Sequence, residues 1–200
     1  MIIALRAVLF YIISMEKRLK SLSKKTRILI PLCLFVFAAL IGFDQWSKHR
    51  IRELLPMESY YEWQDIAVAG KWLSFTHVEN TGVAFSIPVP MLKYVSIFAL
   101  LFILYFFYRI IREKPETIVN YFAFTLILAG AVGNAIDRFA FGEVTDFIKL
   151  DFGFWPFNPF AIFNVADSCI TVGVFLYLIY TLSEEVRIRR QNKKAGTEQS

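Results

Sequence analysis

Phe163-Asn164-Val165-Ala166-Asp167 stands at the mouth of an apolar run that continues to Leu182, and Val144-Thr145-Asp146-Phe147 lies a short way upstream. A helix that crosses a bilayer needs roughly 20 predominantly apolar residues, and the run from Asn164 to Leu182 meets that need. The two segments together bring two carboxylates, Asp146 and Asp167, toward one membrane surface. An ionisable group at membrane depth is a functional hypothesis by default.

Composition agrees with a membrane setting. The chain has 200 residues, 56% of them hydrophobic, with 21 Phe, and its mean hydropathy of +0.50 is too high for an ordinary soluble domain. Four spans are expected, near 28–43, 89–108, 117–136 and 164–182. Lys93 interrupts the second close to its end, where a long stem can carry the ammonium to the interface. The fold class is therefore a mainly α membrane protein.

Lys and Arg flank the spans on one side. Lys17, Arg18, Lys20, Lys24, Lys25 and Arg27 precede the first; Arg109, Arg112 and Lys114 separate the second and third; Arg187, Arg189, Arg190, Lys193 and Lys194 follow the fourth. Positive flanks stay in the cytoplasm, so both termini are expected there, and residues 44–88 and roughly 137–163 are expected outside. This topology accounts for the net charge of +5, which leaves a nucleic-acid-binding patch without support. The organisation expected is a cytoplasmic segment 1–27, one membrane domain 28–183 and a basic cytoplasmic tail 184–200. Residues 1–14, apolar but split by Arg6, read as a signal-peptide core, an interfacial helix, or an extension ahead of a natural start at Met15.

The chain has no repeat and no low-complexity block. Cys33 and Cys169 lie inside spans without a CxxC spacing, and His49 and His77 are isolated, so no metal site is expected. Lys71 to Ser86 is rich in β-branched and aromatic residues with a turn signal at Asn80-Thr81-Gly82, which suits a small external hairpin or sheet on the membrane surface. The aromatic, proline-rich segment 151–160 suits either a headgroup-level belt, the favoured reading, or a substrate entrance.

The polar residues at the span ends carry the chemistry. Asp44 and Lys48 place opposite charges on one helical face at i,i+4, as a structural tie more readily than a catalytic couple. In Gly130-Ala131-Val132-Gly133-Asn134-Ala135-Ile136-Asp137-Arg138, small residues permit close helix approach and Asn134 and Arg138 share a face. Asp137 sits near a helix C-terminus, where the dipole disfavours an anion, so a cation such as Arg138 is expected to steady it. A buried ion pair and a direct catalytic role both remain open for Asp137.

Asn164 followed three residues later by Asp167 resembles an N-cap with an acidic N3 residue, and such capping is compatible with catalysis. A helix N-terminus favours the Asp167 anion, whereas the apolar neighbours of Asp146 favour its protonated acid. A pair in those two states can deprotonate a water and protonate a leaving amine.

Five blocks in order carry a resemblance: Asp44-Gln45-Trp46-Ser47-Lys48, Asn80-Thr81-Gly82-Val83-Ala84-Phe85, Gly133-Asn134-Ala135-Ile136-Asp137-Arg138, Val144-Thr145-Asp146-Phe147 and Phe163-Asn164-Val165-Ala166-Asp167. Together they resemble the bacterial lipoprotein signal peptidases, also called signal peptidase II, from the first span to the fourth. The resemblance implies four transmembrane helices with a small periplasmic β-cradle and a short, mobile periplasmic helix over the site. It implies an aspartyl endopeptidase of the bacterial inner membrane that cuts prolipoproteins just before a diacylglyceryl-modified cysteine, with Asp146 and Asp167 as the catalytic pair.

By the same resemblance Asn80, Gly82, Asn134, Arg138 and Asn164 support the carboxylates or bind substrate. Asp44 and Lys48 order the outer surface, and Asp137 braces the network. Implied partners are the lipidated substrates, membrane lipids and globomycin-type cyclic peptides, and no cofactor. Two other classes compete: a small transporter or proton relay, which requires polar groups through the bilayer midplane, and a noncatalytic scaffold, which tolerates Asp146→Asn and Asp167→Asn.

Overall fold

The protein's structure is a computed structural model that describes residues 24–56, 65–81, 91, 94, 96–105, 117–154 and 161–197. Helix α1 runs Lys24–Leu54, α3 Ile118–Ala140 and α4 Val165–Thr197, and each contains a stretch long and apolar enough to cross a membrane. A shorter apolar helix, α2, covers Ser96–Tyr105. It falls within the span expected at 89–108, much of whose remainder lies outside the described residues, as do residues 1–14 and Gly82.

Helix α1 passes well beyond the expected end at Phe43. The reason is a change of pattern. From Asp44 onward the buried positions are Asp44, Ser47, Lys48, Ile51 and Leu55, the spacing of a single helical face, while Trp46, His49, Arg50 and Glu53 are exposed. The extension rests Ile51 and Leu55 against Phe147 of the sheet, with Phe75 and Val165 packed around them.

The most enclosed of the three is α3: 56% of its apolar window is buried, against 17% in each of α1 and α4. Its contact with α4 is close because glycines leave room. A Cβ added to Gly173 would stand 2.6 Å from the Ala123 carbonyl oxygen, and one added to Gly130 would collide with the carbonyl oxygen of Ala166. Phe124 and Tyr177 pack at a tilt across the same seam, their ring centroids 5.3 Å apart. The small residues expected to permit helix approach therefore do so.

Strands β1 (Ile66–Ala69), β2 (Leu73–Asn80), β3 (Val144–Leu150) and β4 (Ala161–Phe163) form one antiparallel sheet in that order. The small sheet expected from the 71–86 run exists through β2, and β1 and β2 are joined by a turn at 70–72. Gly70, at φ 55°, makes the tight connection from β1 to β2, and Asn80 ends β2. Register then decides the placement: Val78 is opposite Asp146, and Ile148 is opposite Phe163. The second pairing delivers the start of α4 beside β3.

Candidate active site

Asp167 belongs to the first turn of α4, whose leading amides have no intrahelical acceptors. Asn164 Oδ1 accepts the Asp167 N–H at 2.8 Å, and Asp167 Oδ2 accepts the Asn164 N–H at 3.3 Å, the reciprocal arrangement of a capping box. The Ala166 N–H goes to Asp44 Oδ1 at 2.9 Å. The other oxygen of Asp167 accepts from Asn134 Nδ2 at 2.7 Å. Half-buried, Asp167 is thus held by its own helix and by α3.

Asp146 comes from β3, where successive side chains point to opposite faces. Thr145 and Phe147 turn toward α1, while Asp146 turns toward α4. Its Oδ1 accepts from Asn164 Nδ2 at 2.7 Å and its Oδ2 from Asn80 Nδ2 at 2.9 Å. Only 4% of Asp146 is exposed. Burial pushes its carboxyl up to about 6; the Asn80 and Asn164 hydrogen bonds oppose the rise and the charge of Asp167 adds to it. Asn164 therefore joins the pair, with its amide nitrogen on Asp146 and its amide oxygen on the Asp167 backbone.

Beneath the pair lies a fully buried ion cluster. Lys48 Nζ is 2.9 Å from Asp44 Oδ2 and 3.0 Å from Asp137 Oδ2, and it donates to Asn134 Oδ1 at 3.0 Å, so the three ammonium protons have three acceptors. Gln45 Nε2 adds contacts to Asp44, Asp137 and the Gly133 carbonyl at 3.1–3.2 Å. A Cβ at Gly133 would lie 2.7 Å from Asp44 Oδ2, so a larger residue there would displace the cluster. Burying these charges is tolerable only because each is both paired and hydrogen-bonded.

Thr145 links cluster and sheet. Its N–H donates to Asp137 Oδ2 at 3.2 Å and its carbonyl accepts from Asn164 Nδ2 at 3.3 Å. β4 pairs with β3 only from Ile148 onward, so side chains here take the place of a neighbouring strand.

The residues expected at the site are distributed as follows. Asp146, Asp167, Asn80, Asn134 and Asn164 meet directly, and Asp44, Lys48 and Asp137 support them from below. One expectation is corrected. Asp137 is steadied by Lys48 and Arg52, not by Arg138, because α1 presents its cations to Asp137 from across the helix interface; Arg138 reaches Ser96 on α2 at 3.5 Å. Asp44 and Lys48 are enclosed between helices at 1% and 0% exposure. Gln45, Arg52 and Thr145 join the site without having been expected there. Arg52 was legible in the sequence in principle, because it continues the Asp44, Lys48 face by another i,i+4 step.

Apolar helices meeting a small sheet around such a polar cluster suit a membrane-embedded enzyme, and comparison with known proteins gives the family. The family model described as Signal peptidase (SPase) II matches residues 36–183. A lipoprotein signal peptidase of Enterococcus faecalis is 34% identical over 80% of this chain and 92% of its own length. One from Chlorobium phaeobacteroides is 37% identical over 73% and 93%. Two solved structures described as bacterial membrane enzymes superpose with TM-scores of 0.65 and 0.62 at 28% and 29% identity. The first covers 78% of this chain and 90% of its own, the second 76% and 94%. The chain belongs to the signal peptidase II family, and is a peptidase of that family with membrane-spanning helices.

Proposed function

We propose that the chain removes signal peptides from prolipoproteins as an aspartyl endopeptidase, cutting before a cysteine that carries a diacylglyceryl group. The observation that carries this reading is the joining of Asp146 and Asp167 through Asn164 in unlike surroundings, one carboxyl buried on a strand and the other at a helix N-terminus. Asp167 serves as base, taking a proton from a water that attacks the scissile carbonyl. Asp146, held up to about 6 by burial, serves as acid and protonates the leaving amine. The roles then reverse to restore the pair. Both steps are general acid–base chemistry, worth typically 10²–10⁴ in rate.

In the same proposal the chain has four spans in the bacterial cytoplasmic membrane, both termini are cytoplasmic, and the pair opens on the outer face. The Lys and Arg flanks support that orientation, and so does the gathering of the site's polar groups at one end of the helices. Diacyl tails of the substrate lie among the exposed apolar helix faces while the peptide meets the polar edge. Arg138 binds substrate there, and globomycin-type cyclic peptides inhibit by occupying the same place.

The test is signal-peptide release from a diacylglyceryl-modified prolipoprotein by purified protein in lipid. Cleavage before the lipidated cysteine by the parent, and by neither Asp146→Asn nor Asp167→Asn in folded form, is expected. Equal cleavage by all three would overturn the assignment.

A further inference from the structure

We propose that Arg52 and Thr145 act as positioning residues for Asp146, setting the carboxylate's place from the opposite face of the sheet. The inference rests on the reading of Asp146 as part of the catalytic pair. Arg52 lies outside the five sequence blocks, in the last turn of α1. Its Nε donates to Thr145 Oγ1 at 2.8 Å, its Nη2 lies 3.3 Å from Asp137 Oδ1, and its guanidinium sits 4.0 Å from the centroid of the Phe141 ring. A planar fork with fixed donor directions can hold a hydroxyl, a carboxylate and a ring face at once, which a lysine cannot.

What this grip controls follows from the strand. Asp146 is three residues past the turn at Phe141-Gly142-Glu143, where Gly142 has φ 92°. Its β4 neighbour is missing at this level, because pairing begins at Ile148. Thr145 replaces that support through three atoms: the N–H to Asp137, the carbonyl to Asn164 and the hydroxyl to Arg52. Two of these contacts come from residues already tied to the pair. The third comes only from Arg52, and it restrains the side chain that fixes the rotation of the strand. A twist of the strand at Thr145 carries Asp146, next in the chain and on the other face, out of line with Asp167.

The influence is geometric. Charged and titratable groups facing Arg52 are Asp137, Glu143 and, behind Glu143, Glu79. The Glu143 carboxyl is raised to about 7, chiefly by its hydrogen bond to Glu79 and then by burial, while Arg52 pulls it down. The groups that set Asp146 itself are burial, Asn80, Asp167, Asn164 and Lys48, and Arg52 is not among them. Losing Arg52 therefore changes how many turnovers occur without moving the pH at which Asp146 titrates.

The experiment measures kcat, KM and the pH profile for release from a diacylglyceryl-modified prolipoprotein, with thermal unfolding of each variant. Misplacement of a reacting group by about 1 Å can cost 10²-fold, so Arg52→Gln and Thr145→Val are each expected to lower kcat roughly 10- to 100-fold. KM and the shape of the pH profile stay as in the parent. Thr145→Ser, which keeps the hydroxyl, retains the rate. The double variant loses no more than the worse single one, because both remove one contact. Parental kcat in Thr145→Val, additive losses, or a rate that follows the folded fraction would overturn the inference while leaving the catalytic pair intact. Release by Asp146→Asn at the parental rate would instead overturn the reading beneath it.

Discussion

The two carboxylates of the proposed pair are held by different kinds of structure. Asp167 belongs to a helix whose first turn needs acceptors, so the amides at its N-terminus and the Asn134 side chain position it by local rules. Asp146 belongs to a strand near a turn, and its place depends on groups brought from β2, α4 and, through Thr145, α1 and α3. A helix end thus supplies a site for an anion almost by itself, whereas a strand must borrow one. The asymmetry gives two chemically identical side chains two different surroundings, on which the two proposed roles rest.

Neutralising each carboxylate in turn is the largest break. Asp146→Asn and Asp167→Asn are each expected to lower kcat by about 10³ or more, since each removes one general acid–base group and the shared proton. Their stabilities are expected to diverge at pH 7.5. Asp146 has a folded-state titration raised from 3.8 to about 6. The native protein therefore binds more protons than the unfolded chain across that window, and stability falls as pH rises through it. At pH 7.5 the cost is fully present, and Asp146→Asn removes it, so its Tm holds or rises. Asp167→Asn takes a charge from a helix N-terminus and loses about 0.3–1 kcal/mol, so its Tm falls. Calorimetry in one detergent compares them, and equal shifts of one sign would erase the distinction.

Lys48 supports both halves of the comparison, because its ammonium touches Asp44, Asp137 and Asn134. Lys48→Met would leave buried Asp44 without its cation and Asp137 with Arg52 alone. Breaking a buried pair in this way costs about 3–5 kcal/mol, and chemical denaturation should register it as a large loss of stability together with inactivity. A stable, active Lys48→Met would mean that water reaches the cluster and replaces the ammonium.

How much of this was visible beforehand follows the same division. Helix-borne features were legible: the Asn164 and Asp167 cap, the Asp44 and Lys48 tie and the small-residue seam all follow from spacings of three and four. Asp146 was found as a candidate, but not its partners behind the sheet. Arg52 meets Thr145 across 93 positions, and no local period encodes that. The choice of Arg138 as partner for Asp137 failed for a related reason: adjacent helical residues point about 100° apart, while α1 was free to supply its cations from another helix. Gly70 carries the β1–β2 turn at a position that no turn signal had marked.

Helix spacing separates the two halves again. Gly130 faces the Ala166 backbone beside Asp167, while Gly173 faces Ala123 deeper in the same seam. Gly130→Ala and Gly173→Ala each force the helices apart, and overpacking of this kind costs about 1–3 kcal/mol. Both are expected to unfold more readily. Only Gly130→Ala is expected to lower kcat among molecules that remain folded, because its collision lies next to the helix-borne carboxylate. Equal activity of the two folded variants would place the tolerance of Asp167 well above what its tight cap implies.

The smallest expected effect tests the strand-borne half alone. Asn80 donates to Asp146 Oδ2 from an exposed position on β2, and that bond favours the ionised carboxyl and opposes the rise that burial causes. Asn80→Ala therefore raises the titration of Asp146 further. Hydrogen bonds to charged groups are worth about 1.5–3 kcal/mol and one pH unit is about 1.4 kcal/mol; solvent at the exposed amide reduces the effect, leaving a shift of up to about one unit. A step that needs protonated Asp146 slows as pH rises through its titration, so the descending limb of kcat moves to higher pH in Asn80→Ala. Asn164→Ala would move the same limb but would also uncap α4, so Asn80 isolates the strand. A descending limb that stays in place would mean that Asn80 positions substrate and leaves the acid untouched, and an ascending limb that moves to higher pH in its stead would exchange the roles of the two carboxylates.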